Sequence, residues 1–203
     1  MSIFVAEALR REAQNFYGLT LTESLNLKTA AKDLASTIVR SASKDPDATV
    51  YDIFLSHSFL DQAVIAGLKV HFDKLGHKTY VDWLCDPQLS RAGVGKATSE
   101  RLKMRMRNSD TLFYAFSSNA KGSRWMPWEL GFMDAEKGKC AVLRTEEESG
   151  LFSYSGFEYL EIYPYVEESP NQKQEDTLWV QESKDVYVSF LAWKNGQSPR
   201  RHP

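Results

Sequence analysis

The chain predicts a doubly wound α/β fold: a parallel sheet of five strands with helices on both faces. Three observations point there. From Tyr51 onward short apolar runs alternate with helical stretches of 10 to 15 residues. The first of these runs, "VYDIFLSH", is a short apolar run fit for a strand buried on both faces. Each strand-to-strand segment is long enough for a crossover helix, which parallel neighbours require.

Residues 1–48 stand apart as a helical extension, too short for a core of its own. A helix is expected from Phe4 to Phe16. A second is expected where Leu27, Ala31, Leu34 and Ile38 recur at spacings of four, three and four. "SKDPDAT" (43–49) reads as a linker with a proline stop.

The first strand is "VYDIFLSH". Ser58 is placed to cap the following helix, in which Leu60, Val64, Leu68, Phe72 and Leu75 form a stripe. Gly76 ends it, and "HKTYVDW" is the second strand. "DWLCDPQLSRAG" is a loop leading to a helix near 94–107. "DTLFYAFS" is the third strand, and the helix after it holds "SRWMPWELG" (123–131). "KCAVLRT" and "FEYLEIYPYV" are the fourth and fifth strands, and "TLWVQESKDVYVSFLAWKN" reads as a closing helix with Leu178, Val186 and Phe190 near one side. Five strands in about 150 residues suit the flavodoxin-like order 2-1-3-4-5.

Bulk properties narrow the function. The 203 residues hold 25 Lys plus Arg and 27 Asp plus Glu, a net charge of -2, which favours neither nucleic acid nor an anionic membrane as partner. "RLKMRMR" (101–107) reads as the exposed face of a helix. No apolar run approaches the roughly 18 residues of a membrane span. The charged N-terminal stretch is unlike a secretory signal, and two distant cysteines without CxxC suit a reducing cytoplasm. The 4 histidines lack metal-ligand spacing, so no metal is expected.

In a doubly wound sheet ligands bind beyond the carboxyl ends of the strands, where strands 1 and 3 diverge. That rule selects Ser56, His57 and Ser58 after the first strand, Asp82 and Trp83 after the second, and Ser117, Ser118 and Asn119 after the third. On the helix that follows, Trp125 and Glu129 are i and i+4 and share a face. Pro127 is tolerated there because it falls in the first turn. The helix N-terminus favours ionised Glu129 whereas an indole wall disfavours charge, and the residues alone do not order the two. Equally open is a solvated Glu129 beside core tryptophans.

"YDIFLSHS" after a helical leader, a long polar loop after "YVDW", and "SRWMPWELG" after "LFYAFSS" together resemble a TIR domain of the bacterial kind. The resemblance covers about 51 to 195, and the domain is assigned to 49–203. Trp125 and Glu129 match the WxxxE of enzymatically active members. There is no RD-x-x-PG in the second loop and no late Phe-Trp box, so animal-type adaptor function is not implied.

The resemblance implies cleavage of NAD+ at its nicotinamide–ribose bond by hydrolysis or cyclisation, in bacterial anti-phage signalling. Glu129 is the expected catalytic carboxylate. Trp125 would pack beside the ribose or nicotinamide, and Trp83 with the 83–92 loop would cover the ligand. Arg91 is a candidate for the pyrophosphate. His57 and Ser58 match nucleotide-contacting positions of the family, although His57 is also placed for a purely local hydrogen bond. Asp82 is either a ribose contact or a cap for its loop. No GxGxxG is present, so NAD+ is expected as a consumed substrate and not as a cofactor. Self-association and a separate effector reached by a cyclic product are also implied. The rival readings are a catalytically idle interaction module and a nucleoside hydrolase or ribosyl transferase on a related fold.

Overall fold

The structure is a computed structural model that describes residues 4–17, 46–86, 95–146 and 157–202. The expected helix through 27–38 lies outside these residues, as do the 87–94 part of the second loop and Arg91. Of the linker, Pro46–Ala48 forms a single 3-10 turn.

The parallel half of the sheet has the expected strand order. β2 (Tyr51–Ser56) lies between β3 (Thr79–Tyr80) and β4 (Ser109–Phe116), followed by β5 (Cys140–Glu146) and β6 (Tyr165–Pro170), all parallel. The observed path β3-β2-β4-β5-β6 is the order 2-1-3-4-5. Alternate residues feed two cores. Ile53, Leu55, Phe113, Ala115, Ala141 and Leu143 pack beneath α1 (Ala6–Tyr17), α2 (Gln62–Lys74) and the short α6 (Phe190–Lys194). Phe54, Leu112, Tyr114, Phe116 and Val142 pack beneath α4 (Lys96–Arg107) and α5 (Trp125–Lys137). Burial on both faces is why these strands read as continuous apolar runs.

The N-terminal segment is part of this core. β1 (Phe4–Val5) adds to β5 in parallel at Thr145 and Glu146, beyond the point where β6 pairs with Val142. Phe4, Ala6, Leu9 and Ala13 are buried in the cluster that α2 also lines. Gly67 lets α1 approach so closely that a Cβ there would lie 2.1 Å from the Leu9 carbonyl oxygen. His71 ties the layers from α2, with Nδ1 3.2 Å from Glu12 of α1 and Nε2 2.7 Å from Glu168 of β6.

Three expectations are corrected. The closing helix over 177–195 is instead β7 (Asp176–Ser183), β8 (Val186–Ser189) and the short α6. β7 and β8 extend the sheet antiparallel, and β9 (Arg200–Arg201) closes its edge. Leu178 and Val180 are buried two apart, a strand period that the helical reading passed over. The fifth strand begins at Tyr165; the preceding Glu158–Ile162 is a 3-10 turn, because Phe157 and Leu160 turn inward while Glu158 and Glu161 face solvent. Within the stripe before Gly76, Leu60 is 75% exposed, because Phe59–Asp61 forms a separate 3-10 turn and α2 starts only at Gln62. Gly76, at φ 85°, ends that helix as expected.

Candidate active site

The carboxyl end of β2 delivers Ser56, His57 and Ser58, all buried. Ser56 projects to the α5 face, as its neighbour-but-one Phe54 does. There its Oγ–H donates to Glu129 Oε2 at 2.6 Å. Glu129 is 0% exposed, so the solvated reading of this residue is excluded. A carboxylate taken out of water is costly unless donors compensate, and a short charge-assisted bond from a hydroxyl is one of the stronger ways to do so.

α5 presents Glu129 from its second turn. Ser123 Oγ accepts the Met126 amide at 3.3 Å and satisfies one of the helix's orphan N–H groups. Pro127, third residue of the helix, is exposed. Trp125 and Trp128 are half-buried against the same core and meet edge-to-face at 5.4 Å between centroids. Trp128 also stacks on Phe132 at 6.0 Å. The tryptophans thus form an aromatic wall that includes the residue one turn before Glu129.

His57 points to the opposite face. Its Nδ1–H donates to the Leu55 carbonyl at 2.8 Å, and because a carbonyl only accepts, this fixes which nitrogen carries that proton. Nε2 faces Asp82 Oδ1 at 3.4 Å. His57 therefore makes the local bond anticipated for it and also joins the end of β2 to α3 (Asp82–Cys85). Asp82 is the first residue of that helix and is buried; Trp83 beside it is 7% exposed, with an indole N–H that has no hydrogen-bond partner among the described residues. Ser58 is a cap, its Oγ accepting from Leu60 N at 3.4 Å, and it caps the 3-10 turn rather than α2.

The loops after β2 and β4 are laced together where those strands diverge. Ser117 Oγ–H donates to Asp61 Oδ2 at 2.5 Å, and the Asn119 amide donates to Oδ1 at 2.6 Å. The topological rule selected Ser117 and Asn119 but missed Asp61. Its signal was a carboxylate three residues after a capping serine, in the loop facing them.

A second buried acid was also missed. Asp86, 1% exposed, accepts from Arg105 Nε and Nη2 at 2.8 and 2.9 Å, from Arg101 Nη2 at 2.7 Å and from Tyr80 Oη at 2.8 Å. Burial alone would raise its pKa, but the two guanidiniums and the phenol outweigh it and hold the carboxyl down to about 2. The exposed-face reading of 101–107 is thereby corrected: Arg105 is buried and Arg101 partly so, and Arg101 also pairs with Asp47. Two arginines four apart on one helix face can enclose one carboxylate, which is the signal their spacing carried.

No family profile matches the chain. Two relatives do. A protein of Bacillus cereus (strain MSX-D12) is 46% identical over 162 residues, 78% of this chain and 83% of its own length; it carries the provisional name 3' cyclic ADP-D-ribose synthase ThsB'. A protein of Cytobacillus dafuensis, provisionally named cyclic ADP-D-ribose synthase TIR2, is 30% identical over 120 residues. That match spans 52% of this chain but 32% of the relative.

Proposed function

The chain belongs to the bacterial Thoeris-type TIR-domain family, and from that premise we propose that it cleaves NAD+ at the nicotinamide–ribose bond to yield a cyclic ADP-ribose in anti-phage signalling. The relatives' names support the product class. The observation that carries the chemistry is Glu129, fully buried and held by Ser56 at 2.6 Å.

Nicotinamide leaves a cationic pyridinium as a neutral molecule with the electron pair of the broken C–N bond, so departure needs no general acid. The ribosyl centre that remains is oxocarbenium-like, and an ionised carboxylate fixed beforehand by the Ser56 hydroxyl stabilises it without reorganising. Attack by a hydroxyl of the same molecule closes the ring and liberates one proton, which Glu129 accepts. Attack by water would give ADP-ribose instead; burial of Glu129 and the tryptophan wall favour the intramolecular course by limiting water. Trp125 packs beside the ribose or nicotinamide in this reading. His57 and Asp82 brace the ends of β2 and β3 around the nucleotide, with Trp83 against it. Arg91 serves the pyrophosphate. NAD+ is consumed and is not a cofactor. Self-association of TIR domains and a separate effector that receives the cyclic product complete the proposal, in a cytoplasmic setting.

The test is incubation of the purified protein with NAD+ over a range of protein concentrations, with products resolved by chromatography and mass, beside Glu129→Ala. Nicotinamide release that disappears in the variant, with a second product lighter than ADP-ribose by one water, is expected. ADP-ribose as the sole second product would replace cyclisation by hydrolysis. Activity that survives in Glu129→Ala would remove the assigned carboxylate, and release per molecule that does not rise with protein concentration would count against self-association. If the wild type stayed silent even with lysate from infected cells, the idle interaction module would stand.

A further inference from the structure

Tyr114 stands opposite Ser56 in the β2–β4 ladder. Paired residues of neighbouring strands project to the same face, so its phenol enters the layer beneath α5 in which Ser56 meets Glu129. The residue is 0% exposed, and its hydroxyl is buried; the Tyr159 phenol lies near it but not in hydrogen-bonding geometry, and no other described residue bonds it. Buried tyrosines ordinarily set the hydroxyl against a partner, and phenylalanine would fill the same space without a polar atom to satisfy. An unmatched donor in a closely packed core therefore calls for an explanation other than packing. Burial, then the neighbouring Tyr159 phenol and the Glu129 carboxylate, raise the Tyr114 pKa, so it remains a proton-bearing donor at neutral pH.

We propose that Tyr114 is a substrate-contacting residue, its Oη–H donating to the ribosyl hydroxyl whose own proton is directed at Glu129. A sugar hydroxyl gives one hydrogen bond and accepts others. Between a carboxylate that only accepts and a phenol that donates, it is held in one orientation. Loss of its proton to Glu129 then leaves negative charge on the oxygen that Tyr114 stabilises, an interaction stronger in the transition state than in the bound substrate. This role rests on the NAD+-cleaving reading above. It extends the site to a residue in the middle of an apolar strand.

Tyr114→Phe removes the one oxygen and leaves the ring. If the hydroxyl serves the ligand, the ligand-free protein loses nothing, so the Tm of the variant should equal or exceed that of wild type. In the same preparations kcat/KM for nicotinamide release should fall about 10- to 100-fold, mainly through kcat. A lowered Tm with activity retained would assign the hydroxyl to the fold and overturn the proposal, as would a lowered Tm with proportionately lowered activity. Equal activity in an active wild type and in Tyr114→Phe would overturn the Tyr114 role alone. A wild type that releases no nicotinamide under any condition would overturn the parent reading and this role together.

Discussion

Glu129 and Asp86 are both carboxylates that solvent does not reach, and they are held in contrasting ways. Asp86 sits in a fork of Arg101 and Arg105 with the Tyr80 hydroxyl added, so its charge is compensated by formal positive charge. Glu129 receives a neutral hydroxyl from Ser56, beneath a helix that also presents two tryptophans. The first arrangement joins α3 to α4 and stabilises the carboxylate for its own sake. In the second, a neutral hydroxyl fixes one carboxylate oxygen in place on the helix that carries the two tryptophans. Burial alone does not distinguish a structural acid from a reactive one.

The contrast is tested most severely at Glu129. Glu129→Gln keeps the volume and a hydrogen-bonding oxygen for Ser56. Nicotinamide release should drop by about 10³-fold while the Tm changes little, since the volume and the Ser56 contact are kept. A Tm loss as large as that of an Asp86 network variant would erase the distinction. Next in size is Arg105→Ala, which leaves Asp86 with half its fork. Urea unfolding should show a loss of about 3–5 kcal/mol, with residual activity tracking the folded fraction.

Acid gives a gentler probe of the same network. The Asp86 pKa is lowered in the folded state from 3.8 to about 2. Its ion pairs therefore stabilise the fold fully above pH about 4, and that contribution, about 2 kcal/mol, fades as pH falls through about 2. Stability compared between wild type and Asp86→Asn from pH 5 to pH 2 should converge at the acid end; parallel curves would show that the network titrates elsewhere. The smallest effect is expected from Ser56→Ala. Losing one donor to Glu129 should cost about 10-fold in turnover and about 1–2 kcal/mol in stability, read by single-turnover kinetics and thermal unfolding. A turnover loss matching that of Glu129→Gln would mean that Ser56 acts on the substrate directly.

The first four parallel strands were legible because their buried faces make short apolar runs, with a helix stripe and a stop such as Gly76 after the first, whereas the fifth, β6, buries only Val166 and was misplaced. The antiparallel hairpin was not legible. Leu178, Val186 and Phe190 fit a helical face loosely, and the turn at Lys184–Asp185 contains neither glycine nor proline to punctuate it. What betrayed the strands was weaker: Val180, Val186 and Val188 favour extended chain, and burial recurs two residues apart from Leu178 to Val180. At the site, the WxxxE spacing singled out Glu129, and topology singled out Ser56. That the two meet could not be read from either stretch, because they lie 73 residues apart and the contact depends on which face of β2 Ser56 occupies. Asp86 escaped notice for a similar reason: alternating charges in "RLKMRMR" suggest solvent until the partner between Arg101 and Arg105 is known.

The position of β1 bears on how this protein is best handled at the bench. Anything fused ahead of Phe4 starts beside the carboxyl end of β5, two strand spacings, or about 10 Å, from β4. The opposite edge of the sheet, at β9, lies five strand spacings from β4, roughly 24 Å away. An affinity handle or a fluorophore is therefore better carried after His202, and a reporter of events at the carboxyl edge of the sheet is better carried ahead of Phe4.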